Sequence, residues 1–192
     1  GLEEAALTFR GLAATTDVTG HLMIADVGGG STELIQVRES QPVAAHSLRL
    51  GSGALTDQFI LANPPTATEI AACVAEATAR LAAHGPPPEL GARLLAVGGT
   101  GEFLAELVGS EVSLTAESIE RVLTRLQTLS AASLADELTI AEARARVLPA
   151  GVAIIAALVA WLAPPRVDVT RSGIRTGLLL ELCEEERLGA RA

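Results

Sequence analysis

The sequence predicts an α/β fold in which helices flank a mixed β-sheet. Short apolar segments with the alternation of strands are interspersed with longer segments of helical periodicity, which is typical of this fold class. The first three strand segments are predicted to form an antiparallel meander, whereas the later two are reached through helices, as parallel strands are.

Capping residues and helix breakers set the predicted boundaries. Thr66 and Thr115 have the N-cap chemistry of helix starts, and the Gly85–Pro88 run ends a long helix. Strands are predicted at 21–26, 33–38, 43–49, 93–97 and 166–170. Helices are predicted at 2–10, 52–62, 67–83, 101–108, 115–129, 131–137, 141–162 and 173–187. A meander joined through helices to parallel strands is the ribonuclease H-like plan.

Length and charge narrow the classes of protein that fit. The 192 residues are enough to bury a sizeable core, and we expect one α/β lobe over residues 1–192. The net charge of −9 disfavours nucleic acid and anionic membranes as partners. Cys73 and Cys183 are expected to be free thiols, and the spacing of His21, His46 and His84 indicates no metal site.

One segment, Val147–Pro165, carries no charged residue and is long enough to cross a membrane. Pro149, Gly151 and the Pro164–Pro165 stop favour a helix buried between a sheet and other helices, since such a helix is apolar all round. No signal peptide or transit segment is recognised, and we expect a cytoplasmic protein.

The most informative motif follows the first strand, where Asp26 precedes three glycines (Gly28, Gly29 and Gly30) and the hydroxyls of Ser31 and Thr32. Successive glycine amides can converge on an anion, and an acid at a strand end can hold a divalent cation. A strand rather than a helix follows, which disfavours Rossmann and Walker loops and matches the β-hairpin phosphate loop of actin, Hsp70 and sugar kinases. The alternative is an ordinary hairpin turn.

A second glycine loop, with Gly98, Gly99, Thr100 and Gly101, leaves another apolar strand and leads into a helix. Free amides at a helix start bind anions, so the two loops are predicted to form two walls of one phosphate cleft. The alternative for this loop is a closely packed β-to-α turn.

Five segments together resemble the exopolyphosphatase and guanosine pentaphosphate phosphatase (Ppx/GppA) family. They are Gly1–Leu7, Asp26–Leu34, Leu50–Thr56, Val97–Gly101 and Arg175–Leu179. In that family a first lobe carries its own phosphate loop, patterned Asp-x-Gly-Ser-Asn-Ser, which has no counterpart here. The resemblance therefore implies that the chain is the second lobe of a two-lobed enzyme whose first lobe is absent.

The resemblance also implies roles for single residues. Glu4 aligns with the general base that activates a water, and Asp26 would be the metal ligand for Mg²⁺. The alternative for Glu4 is a solvated acid in a first helical turn. Phosphate would be bound by Gly28, Gly29, Gly30, Ser31, Thr32, Gly99, Thr100 and Gly101. Arg49 could add a cation, but a surface position is equally expected.

Three residues depart from the family pattern: Glu102, Arg146 and Thr176. Three hypotheses follow from the motifs: a Mg²⁺-dependent hydrolase of inorganic polyphosphate or guanosine pentaphosphate, an actin-like nucleotide-sensing module, and a noncatalytic polyphosphate-binding lobe. Glu102 and the missing first lobe favour the third. The first is the leading hypothesis. Family members often pair, so a homodimer is a further expectation.

Overall fold

The computed structural model describes residues 9–109 and 113–170, and within them six strands form one sheet. The strands are β1 (Leu22–Val27), β2 (Thr32–Arg38), β3 (Gln41–Leu48), β4 (Arg93–Val97), β5 (Ser113–Leu114) and β6 (Val167–Thr170). Their spatial order is β3-β2-β1-β4-β6-β5.

The pairing of the strands confirms the predicted mixed sheet. β1, β2 and β3 form the antiparallel meander, and β4 pairs in parallel with both β1 and β6. The short β5 runs antiparallel to β6 and was not predicted, because two residues show no periodicity. Parallel neighbours end at the same side, so the carboxyl ends of β1 and β4 meet there.

Six complete helices lie within the described ranges. They are α1 (Ser52–Phe59), α2 (Ala67–His84), α3 (Gly98–Val108), α4 (Ala116–Leu126), α5 (Ala131–Leu138) and α6 (Glu142–Leu162). Residues 9–13 are also helical. Capping boxes at Thr66 and Thr115 begin α2 and α4, as predicted. The helix predicted at 173–187 and most of that at 2–10 lie outside the described residues.

The helix predicted at 52–62 ends three residues early, at Phe59, because the backbone amides of the following loop donate hydrogen bonds to the Glu69 side chain instead of continuing the helix. Its carboxylate accepts hydrogen bonds from the Leu61 and Ala62 amides at 2.8 and 2.9 Å and from the Thr66 amide at 2.7 Å. Backbone donation from Thr66, then from Ala62 and Leu61, lowers the pKa of Glu69 to about 2.

Alternation along the strands sends apolar side chains to both faces of the sheet. Met23, Ala25 and Val27 point into the larger core beneath the helices. Leu22 and Ile24 point to the opposite face, where a smaller cluster includes Leu12 and Val18. Strand β1 is therefore buried on both faces, as expected for a strand with a parallel neighbour, whereas the edge strand β3 is largely exposed.

Helix α6 is the central element of the larger core. By length and hydropathy it is the one described helix that could cross a membrane, but 72% of its most apolar 18-residue window is buried inside the fold. Its burial against α1, α2, α4 and α5 explains the absence of a polar face. The prediction of a buried core helix is confirmed, and Pro149 is accommodated inside it.

Candidate phosphate-binding cleft

The first glycine loop is a tight turn whose carbonyls cap helix α1. The Gly28 amide donates to the Ser31 carbonyl at 2.9 Å and closes the turn. The Ser52 amide donates to the Gly28 carbonyl, and the Gly53 amide to the Gly29 carbonyl, both at 2.9 Å. The carbonyls of the loop thus supply the N-terminal cap that no side chain provides for α1.

This capping fixes the direction of the loop amides. The C=O and N–H of a trans peptide unit point in opposite directions, so the amides of Gly29 and Gly30 point away from α1. Neither amide donates a hydrogen bond to another backbone group in the described part of the chain. Two successive amides directed the same way are the donors that an anion-binding nest requires.

The glycine loop can cap α1 because it packs closely against Gly51. A Cβ atom on Gly51 would lie 2.3 Å from the Gly29 carbonyl oxygen and 2.4 Å from the Gly30 carbonyl carbon. Because both neighbours are backbone atoms, no rotamer change could relieve the overlap. Gly51 is therefore required for the loop to lie directly on the start of α1.

The second glycine loop differs from its prediction, because it is the first turn of helix α3 rather than a loop before it. The helix begins at Gly98, three residues earlier than expected. Gly98 has a φ of +75°, and a Cβ there would lie 2.6 Å from Asp26 Oδ1. Gly101 packs against the Ala96 carbonyl, which a Cβ would approach to 2.9 Å. The amides of the first turn, including that of Gly99, are those that a helix leaves without an internal partner.

The two glycine segments meet at one cavity of about 240 Å³, at the carboxyl ends of β1 and β4. Gly28 and Gly29 line one side, and Gly99 and Thr100 line another. Ser52 of α1 and Arg144 of α6 complete its polar lining, while Val27, Phe103, Val147 and Leu148 supply apolar surface. The predicted convergence of the loops on one cleft is thus present in the fold.

Arg144 supplies a positive charge that sequence reasoning did not place here. Its side chain is exposed and forms no ion pair within the described residues. The guanidinium offers five donors for oxyanions. Only a weak signal for this role is present in the sequence, an arginine in the first turn of a largely apolar helix, since its position at the cleft depends on how α6 crosses the sheet.

Two threonines predicted to bind phosphate use their hydroxyls inside the fold. Thr32 is fully buried and donates to the Leu50 carbonyl, and Thr100 donates to the Val27 carbonyl at 3.2 Å. These bonds tie the loops to neighbouring segments and disfavour direct hydroxyl contact with phosphate. Ser31, by contrast, lies half-buried in the turn.

Asp26 has a second carboxylate beside it. Glu33 lies directly opposite Asp26 in the antiparallel register of β1 and β2, so their Cβ atoms share a face about 5 Å apart. Glu33 is only 7% exposed and accepts a hydrogen bond from Ser47 Oγ at 2.7 Å. The sequence analysis assigned Glu33 only to a predicted strand. The regular pairing of residues in a two-strand hairpin could have indicated that Glu33 lies beside Asp26.

No group of three or more His, Cys, Asp or Glu side chains suited to hold a metal occurs within residues 9–109 and 113–170. Mg²⁺ does not require such a cage, because it binds through one or two carboxylates and completes its shell with water and phosphate oxygens. The donor set of Asp26 and Glu33 fits that requirement.

The other predicted residues that the structure describes do not line the cavity. Those within or beside the two glycine segments but outside its lining are Asp26, Gly30, Ser31, Thr32 and Gly101. Glu4 and Thr176 fall outside the described residues. Glu102 does not line the cleft, and Arg146 lines a separate, very small cavity on the other side of its helix. Arg49 is exposed, and its carbonyl accepts a hydrogen bond from the guanidinium of Arg80.

An α/β lobe built on this mixed sheet, with two glycine segments around one cleft, belongs to the actin-like fold class. A sequence model of the Ppx/GppA phosphatase family matches residues 1–186, and the chain belongs to this family.

Curated relatives agree with this assignment. The chain is 33% identical over 122 residues to exopolyphosphatase 2 of Mycobacterium tuberculosis, covering 62% of this chain and 38% of that protein. It is 29% identical over 200 residues to a guanosine-5'-triphosphate,3'-diphosphate pyrophosphatase of Vibrio campbellii, covering 97% of this chain and 39% of that protein. The chain therefore spans less than half the length of these two relatives.

Solved structures show the same fold. The crystal structure of the Aquifex aeolicus Ppx/GppA phosphatase superposes with a TM-score of 0.81 at 23% identity, over 93% of this chain and 62% of that protein. This similarity confirms the predicted fold class.

Proposed function

We propose that this chain forms one wall of the active cleft of a phosphoanhydride hydrolase that releases terminal orthophosphate from inorganic polyphosphate or guanosine pentaphosphate. The observation that carries the proposal is the cavity of about 240 Å³, where the Gly28–Gly29 turn, the start of α3 and Arg144 meet. Membership of the Ppx/GppA phosphatase family supports the choice of reaction.

Binding of the terminal phosphate is assigned to backbone amides. Those of Gly29 and Gly30 point away from α1, and those of Gly99 and Thr100 lie in the first turn of α3. Amides held by two rigid elements stabilise phosphate charge without rearrangement, which is the main requirement of phosphoryl transfer. Arg144 would neutralise a further phosphate oxygen.

Asp26, with Glu33 beside it, is the candidate holder of Mg²⁺, which when bound would neutralise charge on the phosphate oxygens. The Asp26 carboxylate lies over the Cα of Gly98, so its position is coupled to the start of α3. Glu4 keeps the role of general base that the family resemblance implies, orienting a water for attack on phosphorus.

The partner of this wall is proposed to be a first lobe of the two-lobed enzyme, as the resemblance implies. The 38% and 39% coverage of the two curated relatives is consistent with a larger functional unit. A homodimer and a cytoplasmic location remain further predictions. The noncatalytic alternative loses one of its two supports, because Glu102 does not line the cleft.

Orthophosphate release with Mg²⁺ from polyphosphate and from guanosine pentaphosphate tests the proposal, using the chain joined to the first lobe of a family member. Arg144→Gln should lower kcat/KM about 10- to 100-fold, the cost of one charge-assisted hydrogen bond. Arg146→Gln, with the same charge change two residues away, is the control and should stay within about twofold.

Glu4→Gln should abolish turnover while phosphate binding persists. Equal effects of the two arginine substitutions would contradict the assigned cleft. Binding of polyphosphate without any release by the joined protein would leave the noncatalytic lobe as the better description.

A further inference from the structure

A second cavity, of about 250 Å³, lies at the edge of the sheet formed by β3 and shares no lining residue with the phosphate cleft. Two of the three histidines of the chain, His46 and His84, line it together with Gln36 and Trp161. Neither the proposed hydrolysis nor the packing of the core uses these imidazoles, and both side chains are exposed.

The two imidazoles lie edge to face, close to the separation of rings that share one metal ion. Their centroids are 4.7 Å apart, with ring planes inclined at 70°. A nitrogen bound at about 2.0–2.1 Å places the ring centroid about 3.2 Å from the ion, so two rings at the tetrahedral angle would be roughly 5.2 Å apart, about half an ångström more than observed. Rotation about χ2 is broad for histidine, so each exposed ring can turn a nitrogen toward the shared position.

Both histidines are held by regular elements. His46 lies on β3, opposite Leu34 of β2. His84 is the last residue of α2, and the indole Nε1 of Trp161 donates to the carbonyl of the following Gly85 at 3.0 Å. Binding groups carried by a strand and an anchored helix end lose little conformational freedom when they take a ligand.

The surroundings favour a cation. His84 lies at the carbonyl end of α2, which is the negative end of the helix dipole. No lysine or arginine lines the cavity, and the chain carries a net charge of −9. Imidazole nitrogen selects Zn²⁺, Ni²⁺ and Cu²⁺ over the oxygen-seeking Mg²⁺.

We propose that His46 and His84 bind a divalent transition-metal ion such as Zn²⁺. The Gln36 side-chain oxygen and water can fill its remaining positions, for which the cavity has room. The ion links the edge strand β3 to the end of α2. Because it binds only the folded chain, it stabilises that chain by mass action.

Calorimetric titration with Zn²⁺ and the Zn²⁺-dependent rise in Tm test the site. His46→Gln and His84→Gln should each weaken Zn²⁺ binding by at least about tenfold and remove the rise in Tm. His21→Gln is the matched control, since His21 pairs with Glu89 elsewhere on the surface, and it should bind as the parent does.

Cu²⁺ electron paramagnetic resonance supplies a direct readout, with superhyperfine coupling to two nitrogens expected in the parent chain. Asp26→Asn should keep this signal, which separates the site from the proposed Mg²⁺ position. No Zn²⁺ binding in the parent, or unchanged binding in the His46→Gln/His84→Gln double variant, would overturn the proposal.

Discussion

Replacing Gly151 with alanine tests the packing that supports both glycine segments. Gly151 lies inside α6, where an added Cβ would sit 2.7 Å from Thr100 Cγ2 and 3.4 Å from Ser52 Cβ. Thr100 belongs to the first turn of α3, and Ser52 is the first residue of α1. One methyl group would therefore press on both helix starts that border the cleft.

Two opposing effects set the size of the change. Alanine is better than glycine inside a helix by about 1 kcal/mol. Overpacking of a tight core costs typically 1–3 kcal/mol, so the expected net loss of stability reaches about 2 kcal/mol. Thr100→Ser removes Cγ2, the nearest atom, but keeps Oγ1, which would lie 3.0 Å from the added Cβ. In the Thr100→Ser background, Gly151→Ala should therefore cost clearly less stability than in the parent.

Urea unfolding of the four chains of this double-mutant cycle measures the effect. Trp161, the only tryptophan of the chain, provides the fluorescence signal from the far end of the same helix. We expect a coupling energy of at least about 1 kcal/mol, above the additivity error of about 0.3–0.5 kcal/mol. A stabilising Gly151→Ala in the parent, or strict additivity, would refute the reasoning from packing.

Three further predictions follow from the described contacts. Gly51→Ala should destabilise the chain by about 1–3 kcal/mol in urea unfolding, because its Cβ would meet the backbone of the glycine turn. The stabilising effect of Glu69, whose folded pKa of about 2 lies below its ordinary value of 4.5, should be complete above pH 4.5 and disappear as the pH falls toward 2. Glu69→Gln should therefore lower Tm at neutral pH but not near pH 2. Burial raises the pKa of Cys73 to about 11, so in a Cys183→Ser chain its thiol should react with a disulfide reagent at pH 8 only after unfolding.

Each of these predictions has a control variant or an outcome that would contradict it. Gly30→Ala is the control for Gly51→Ala, since no atom lies within 4 Å of its added Cβ, and equal losses would argue against the overlap. Glu106→Gln, at an exposed position of α3, controls for the loss of a carboxylate. A Tm difference between parent and Glu69→Gln that persists unchanged at acid pH would contradict the role of the Glu69 contacts. Rapid labelling of Cys73 in the native chain would contradict its burial.

Local sequence patterns were sufficient to predict most of the strands and helices. The strand predicted at 93–97 coincides with β4, and the helix predicted at 67–83 differs from α2 by one residue. These elements have strong periodicity or a complete capping box. The start of α3 was wrong by three residues, because glycines favour a loop by local preference. The close approach of Gly101 to Ala96 makes them a helical turn instead.

The candidate site was predictable where its residues form contiguous glycine segments, including the meeting of the two segments at one cleft. The Gly28–Ser31 turn is visible in the sequence, since it is formed by neighbouring residues. Arg144 was missed because it reaches the cleft through a helix that starts more than a hundred residues later. Glu33 was missed because its proximity to Asp26 depends on strand register.

The capping of α1 by the Gly28 and Gly29 carbonyls links ligand binding to hydrogen exchange. An anion held by the amides of Gly29 and Gly30 polarises the same peptide units whose carbonyls accept from Ser52 and Gly53. The hydrogen bonds that these carbonyls accept from Ser52 and Gly53 should therefore strengthen when the anion binds. The Ser52 and Gly53 amides themselves do not contact the anion. Slower deuterium uptake at the first turn of α1 would then report occupancy of the cleft without any turnover.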